Sequence, residues 1–205
     1  MGNMKKIVIF GATGMTGSCS LEHAVKAGLK TRAFVRDENK VPEHLKDKVE
    51  IFVGDVTNAE QVSHAVSDMD GVVVVLGTRN DLKPTTVLSD GMKNIISAMK
   101  KHNVQIVSVC LSAFLFREPE KVPVIFKDLN ADHQRMFDLV KACGLNWIAC
   151  LPPHITELPA SPKYTIEYDK SPGPAISKHD LGEFLIKSLD QPEHYQKVCG
   201  IATCS

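Results

Sequence analysis

Short, almost wholly apolar runs recur along the chain, separated by stretches whose apolar residues fall three and four apart. The first run is Lys5–Phe10, where Ile7-Val8-Ile9-Phe10 has no polar break. Thr31–Val35, Val49–Val53, Gly71–Leu76, Gln105–Cys110 and Asn146–Cys150 follow, and Val72-Val73-Val74-Val75-Leu76 is again continuous. A strand with one face in water alternates; a strand covered on both faces does not. These runs therefore predict a parallel sheet held between helices.

The intervening stretches read as those helices. Leu21, Ala24 and Val25 make one stripe, with Gly28 placed to end it and Glu22 and Lys26 spaced as an i,i+4 pair. Ala59, Val62 and Val66 make a second, behind Thr57 as an N-cap. A third runs from about Thr85 to His102 and ends in Lys100-Lys101-His102, where positive charge suits the helix dipole. Leu129–Cys143 is a fourth, striped by Met136, Phe137 and Val140 and followed by Gly144. Strand and helix alternating in this way predict a doubly wound, Rossmann-like α/β fold with a mostly parallel sheet, one domain over residues 1–205. After Leu151 the pattern breaks: Pro152, Pro153, Pro159, Pro162, Pro172 and Pro174 crowd together. Residues 151–205 are expected to form a loop-rich lobe on the substrate side. It would hold one short edge strand at Tyr164–Tyr168, a last helix from Ser177 to about Leu189, and a tail.

Composition narrows the function. With 24 Lys+Arg against 24 Asp+Glu over 205 residues, the chain lacks the basic surplus that phosphate backbones require, so no nucleic-acid partner is expected. No apolar run approaches the ~20 residues of a membrane span. Ile7–Phe10 is too short for a signal-peptide core, which makes a cytoplasmic protein the expectation. The cysteines Cys19, Cys110, Cys143, Cys150, Cys199 and Cys204 show no C-x-x-C spacing, so no metal site is expected and most should be small buried residues.

The clearest chemistry follows the first strand. Gly11-Ala12-Thr13-Gly14-Met15-Thr16-Gly17 leads from strand to helix. In such a turn the first glycine permits the bend, the second lets a pyrophosphate approach the backbone, and the third lets the helix pack closely. The helix start then offers free N–H groups to phosphate. At the end of the second strand comes Arg36-Asp37. Arg36 suits a 2′-phosphate and so NADPH, with Asp37 as a ribose acceptor the alternative. Asp55-Val56 follows the third strand, Leu76-Gly77-Thr78-Arg79 the fourth, Ser112 the fifth, and Pro153-His154 the sixth. Tyr164, Tyr168 and Tyr195 are the only tyrosines, and none has Lys four residues on. The usual acid of carbonyl-reducing and epimerising short-chain enzymes is therefore missing.

The G-x-x-G-x-x-G spacing resembles the extended and atypical short-chain dehydrogenases. Leu76-Gly77-Thr78-Arg79-Asn80-Asp81-Leu82, Pro84-Thr85-Thr86-Val87, Lys121-Val122-Pro123, Pro152-Pro153-His154-Ile155 and Ile176-Ser177-Lys178-His179-Asp180-Leu181-Gly182 narrow this further. Across nearly the whole chain they resemble the NADPH-dependent flavin reductases, or biliverdin-IXβ reductases. That resemblance implies a monomer that transfers hydride from NADPH to flavins (FMN, FAD, riboflavin) and non-α biliverdins, as in heme catabolism. It implies cofactor contacts at Gly11, Thr13, Gly14, Met15, Thr16, Arg36, Asp55, Val56, Leu76, Gly77, Thr78, Arg79, Leu88, Lys93, Cys110, His133, Pro153 and His154. Ser112 and His154 would border the reacting atoms as the catalytic pair. The competing reading is a non-enzymatic NADP(H) sensor of the NmrA-like type, which also lacks the Tyr–Lys pair.

Overall fold

The computed structural model describes residues 4–78, 81–161 and 163–203. β1 (Lys6–Phe10) leads to α1 (Met15–Lys26), β2 (Lys30–Val35), the short α2 (Glu43–Lys46), β3 (Glu50–Val53), α3 (Ala59–Val66) and β4 (Gly71–Val74). Then come α4 (Val87–Lys101), β5 (Ile106–Cys110), α5 (Lys127–Ala142) and β6 (Asn146–Leu151). The last part holds β7 (His154–Thr156), β8 (Tyr164–Tyr168), β9 (Ala175–Ser177), α6 (Lys178–Lys187) and β10 (Lys197–Thr203). The main sheet has eight strands in the order β3-β2-β1-β4-β5-β6-β10-β8. Every neighbouring pair is parallel except β10–β8. This is the doubly wound, mostly parallel α/β fold the apolar runs predict.

The continuous runs have a simple cause: successive side chains enter opposite cores. Val8, Val72, Val74, Val107 and Val109 pack with α3, α4 and α5, while Ile7, Ile9, Val73 and Ile148 pack with α1 and α6. Both sets are buried, and the buried polar residues of the main-sheet strands are small and hydrogen-bonded: Thr31 to Leu29 O, and Ser108 to Ser188. Gly28 ends α1 as expected, with φ +76°.

Three local details differ from the sequence reading. Asn58, not Thr57, caps α3, its side chain accepting from the N–H groups of Glu60 and Gln61. Thr57 is instead drawn to Asp55. Glu22 meets His44 Nε2 at 3.3 Å rather than pairing with Lys26. The proline-rich region is also more regular than expected. β7 and β9 form a two-stranded sheet of their own, and the tail supplies β10, which enters the main sheet between β6 and β8. The pattern hides β10 because Gly200 interrupts its apolar run. That glycine is required: a Cβ there would overlap the Lys170 carbonyl.

α1 and α6 lie against each other on one face of the sheet, with Gly182 at the crossing. A Cβ on Gly182 would stand 2.8 Å from Cys19 Cβ and 2.9 Å from the Ser20 nitrogen. Gly182→Ala should cost about 1–3 kcal/mol of stability despite the better helix former, because the helices must move apart. Chemical denaturation measures this; a variant as stable as the parent would contradict the packing.

Candidate functional site

Because β1 to β6 run parallel, their C-terminal ends share one edge, and the residues that follow them gather there. The strand order reverses between β1 and β4, the point at which doubly wound sheets open a crevice. Gly11 turns the chain out of β1 with φ +84°, and a Cβ on it would overlap the Val75 carbonyl. A Cβ on Gly17 would overlap the Gly11 carbonyl. These two glycines let α1 begin directly against the crevice. Gly14 differs. Its φ is −77°, and a Cβ there would meet only the Gly11 oxygen, at 3.4 Å. Among the described residues nothing demands a glycine at position 14, and the space over it is open.

The start of α1 is also electrostatically open. Its N-cap residue, Gly14, makes no side-chain cap bond, and its first turn carries no acid. The other helices of eight or more residues each carry an acid in the first turn: Glu60 in α3, Asp90 in α4, Asp128 in α5 and Asp180 in α6. Free N–H groups and the positive end of the helix dipole therefore face the crevice at α1, where an anion is favoured.

Around this centre the edge is polar in a graded way. Arg36 is exposed at the end of β2. Asp37 beside it turns away, its carboxylate accepting from Asn39 N at 3.0 Å to cap a short turn. Asp55 accepts from the hydroxyl and N–H of Thr57 at 2.7 and 2.8 Å. Those bonds, helped by the charge of Arg36, hold its carboxyl below the usual range. Past β4, Leu76 and Thr78 are half-buried and Gly77 is exposed, with nothing within 4 Å of where a Cβ would be.

At the other wing, Leu111 N donates to Cys150 O at 2.8 Å, which sets Ser112 level with Pro152-Pro153-His154. Ser112 Oγ accepts from Phe114 N at 3.2 Å. Among the described residues its own hydrogen has no acceptor. His154 is exposed at the start of β7, and among the described residues its imidazole is unpartnered.

The sequence and the fold are similar to those of known proteins. The model of a family described as NAD(P)H-binding fits residues 11–192. The chain belongs to that NAD(P)H-binding family. It is 26% identical to an uncharacterized chloroplastic protein of Arabidopsis thaliana, over 96% of this chain and 76% of that one. It is 24% identical to eugenol synthase 2 of Clarkia breweri, over 97% of this chain and 69% of the other. A wide-type short-chain dehydrogenase/reductase of Veillonella parvula, solved with NADP, shares the fold. Its TM-score is 0.81 at 14% identity, over 97% of this chain and 94% of that one.

For an NAD(P)H-binding chain, the remaining nominated residues divide. Thr13, Thr16 and Met15 lie in the glycine turn, Met15 exposed and Thr16 buried. Arg79 lies outside the described residues. Val56 and Leu88 point into the core on the α3–α4 side, and Leu88 N is already bound to Asp132. Neither group of Leu88 faces outward. Lys93 is exposed, partway along α4. His133, on α5, has Nδ1 buried without a hydrogen-bond partner, and burial pushes its imidazole down to about 4, so it is neutral near neutral pH. Cys110 sits in the α1–α6 core, its thiol pushed up to about 12 by burial, which removes it as a nucleophile. Cys19, Cys143, Cys150 and Cys199 are likewise buried and free. Cys204 lies outside the described residues.

The sequence reading passed over Asp132. It has no exposed surface and belongs to the buried stripe of α5 with Met136 and Val140. The signal was available: an acid four residues before Met136 falls on the apolar face of its helix.

Gly14 separates packing from binding. Gly14→Ala should fold with a melting temperature close to the parent's, yet weaken NAD(P)H binding about tenfold or more, since its methyl fills the space a pyrophosphate needs. Gly17→Ala should instead lose stability outright. Thermal melts and cofactor titration distinguish these outcomes; undiminished binding by folded Gly14→Ala would contradict the placement.

Proposed function

We propose that this chain is an NADPH-dependent reductase acting on conjugated acceptors, flavins and non-α biliverdins. A bound reduced nicotinamide supplies a hydride. The observation that carries the reading is the position of the tyrosines. Tyr168 OH lies 3.0 Å from His194 Nδ1 and donates to Glu193 O at 3.1 Å; Tyr195 OH donates to Leu189 O at 2.7 Å. Tyr164 starts β8, on the far side of β10 from β6, and packs edge-on against Phe184. Burial, with Glu183 beside it, pushes its phenol above the ordinary range, the opposite of what Lys does in a Tyr-x-x-x-Lys pair.

Without a positioned phenol, an acceptor that would become an alkoxide lacks its proton donor. A flavin or linear tetrapyrrole takes the hydride into a conjugated system, and its proton can come later from water. In this reading the glycine turn and the start of α1 hold the pyrophosphate, Arg36 holds the 2′-phosphate, and Asp55 and Leu76–Thr78 line the cofactor. Ser112, Pro153 and His154 then orient the acceptor against it. The engagement of Asp37 in its own turn supports Arg36 as the group that selects the cofactor, and so NADPH over NADH.

The test is NADPH oxidation, followed by the nicotinamide absorbance, with FMN and a biliverdin beside a panel of aldehydes and ketones. Turnover of the conjugated acceptors with negligible turnover of the carbonyls is expected. The reverse order, or tight binding with no turnover of any acceptor, overturns the reading.

Two variants refine it. Arg36→Glu should weaken NADPH by about 2 kcal/mol or more, roughly 30-fold, and leave NADH nearly unchanged, because it replaces a charge-assisted contact with repulsion. Equal weakening of both cofactors would make Arg36 structural. Ser112→Ala and His154→Ala should each lower kcat for FMN by less than about 10²-fold, since a positioned acid is typically worth 10²–10⁴. A larger loss with cofactor binding intact would identify a true proton donor.

A further inference from the structure

Thr86, the N-cap residue of α4, makes no side-chain cap bond, and the first N–H groups of a helix need partners. Thr85 Oγ1 accepts from Val87 N at 3.2 Å, and α5 supplies the partner of the next N–H, that of Leu88. Asp132 Oδ2 accepts from Leu88 N at 3.0 Å, and Oδ1 accepts from the Ser89 hydroxyl. Arg135, one turn on, stands 3.2 Å from Asp132 Oδ1 and donates to the Thr85 carbonyl at 2.8 Å. A carboxylate with no exposed surface is tolerable only when paired and hydrogen-bonded. Arg135, two donors and the positive end of α4 do this together.

What this pair holds is the long connection from β4 to α4. Leu76, Gly77 and Thr78 stand at its start, on the cofactor edge, and Thr85 and Thr86 at its end. Its other hydrogen bonds among the described residues are local: Asp81 N to Thr78 O at 3.2 Å, Lys83 N to Asp81 Oδ1 at 3.1 Å, and bonds from Val87, Ser89 and Asp90 in the first turn of α4 to Thr85 and Thr86. From Leu76 to Thr86, the Arg135–Thr85 bond is the one described hydrogen bond that reaches a distant element. It crosses a shallow cleft lined by Pro84, Thr85, Thr86, Asp128 and Ala131. A segment whose described bonds are otherwise local belongs to the less stable parts of a fold.

We propose that Asp132 and Arg135 are positioning residues for cofactor binding. They fasten the β4–α4 segment from α5 and so fix Gly77 and Thr78 against the nicotinamide half of NAD(P)H. The inference rests on the reading of Leu76–Thr78 as a cofactor wall and is independent of which acceptor is reduced.

The test compares Arg135→Ala, Arg135→Lys, Asp132→Asn and, as a control, Val140→Ala, which opens a cavity two turns further along the same buried face of α5. Thermal stability, equilibrium binding of NADPH and NADH, and the rate of NADPH release are measured for each. Arg135→Ala leaves the buried Asp132 carboxylate without its cation and should melt earlier, so binding is compared with the destabilised Val140→Ala control at a temperature where every variant is folded. Arg135→Ala should raise the NADPH dissociation constant about tenfold, the scale of one lost charge-assisted bond, mainly through faster release. NADH should weaken by the same factor, because the 2′-phosphate end is untouched. Arg135→Lys should recover part of the loss, Asp132→Asn should behave like Arg135→Ala, and Val140→Ala should melt earlier yet bind as the parent does. Parent-like binding by Arg135→Ala and Asp132→Asn overturns the proposal, as does equal weakening in Val140→Ala. If the parent itself bound neither nucleotide, the cofactor reading would fail and take this proposal with it.

Discussion

The contact on which the rest depends is the meeting of three backbones, where the turn after β1, the end of β4 and the first turn of α1 touch with no side chain between them. Gly11 lies against the Val75 carbonyl, and Gly17 against Gly11 itself. That clearance brings the start of a twelve-residue helix to the crevice where the strand order reverses. Backbone donors and the helix dipole then act at short range on whatever occupies the crevice. A side chain at either glycine would push α1 outward and remove the anion site without altering any charged residue.

The charges around this centre are arranged by exclusion as much as by attraction. Acids occupy the first turns of α3, α4, α5 and α6, and Asp132 reaches across from α5 to fill the start of α4. Among the described helices, α1 alone carries no acid in its first turn. At the opposite edge, Arg32 shows what a committed cation looks like: Nη1 donates to Ala65 O at 2.8 Å, and Nε meets Glu50 at 2.9 Å. Arg36, four residues on and just past the end of β2, stands exposed where the C-terminal ends of the strands gather. The two arginines differ in what surrounds each end of β2.

The fold was legible because both faces of a parallel sheet are dry. Ile7 to Phe10 and Val72 to Val75 could be read as strands without any alignment, and the glycine spacing located the turn that follows the first of them. β10 was not legible: it pairs with strands distant in sequence, and its run is cut by Gly200, whose need arises only from the approach of Lys170. The site divided along the same line. Residues placed directly after strands, Arg36, Asp55, Gly77 and Ser112, fell on the expected edge because the backbone carries them there. Residues on helices are placed less uniformly: Lys93 and Met15 are exposed. Leu88 turned into the core, and Asp132 proved to be a buried link between two helices. Which way a helical side chain faces depends on partners that the local pattern does not name.

The central claim is that the open start of α1, brought in by the glycine turn, is where a nicotinamide dinucleotide is held. Titrating isotope-labelled protein with NADP⁺ and following backbone amide resonances tests this directly. The amides of Thr13 to Ser18 should shift most, with Gly77 and Thr78 responding at the other wall, while Lys6, Lys30 and Lys48 at the opposite edge stay still. Saturable binding that leaves the amides of Met15 to Ser18 unmoved would contradict the account.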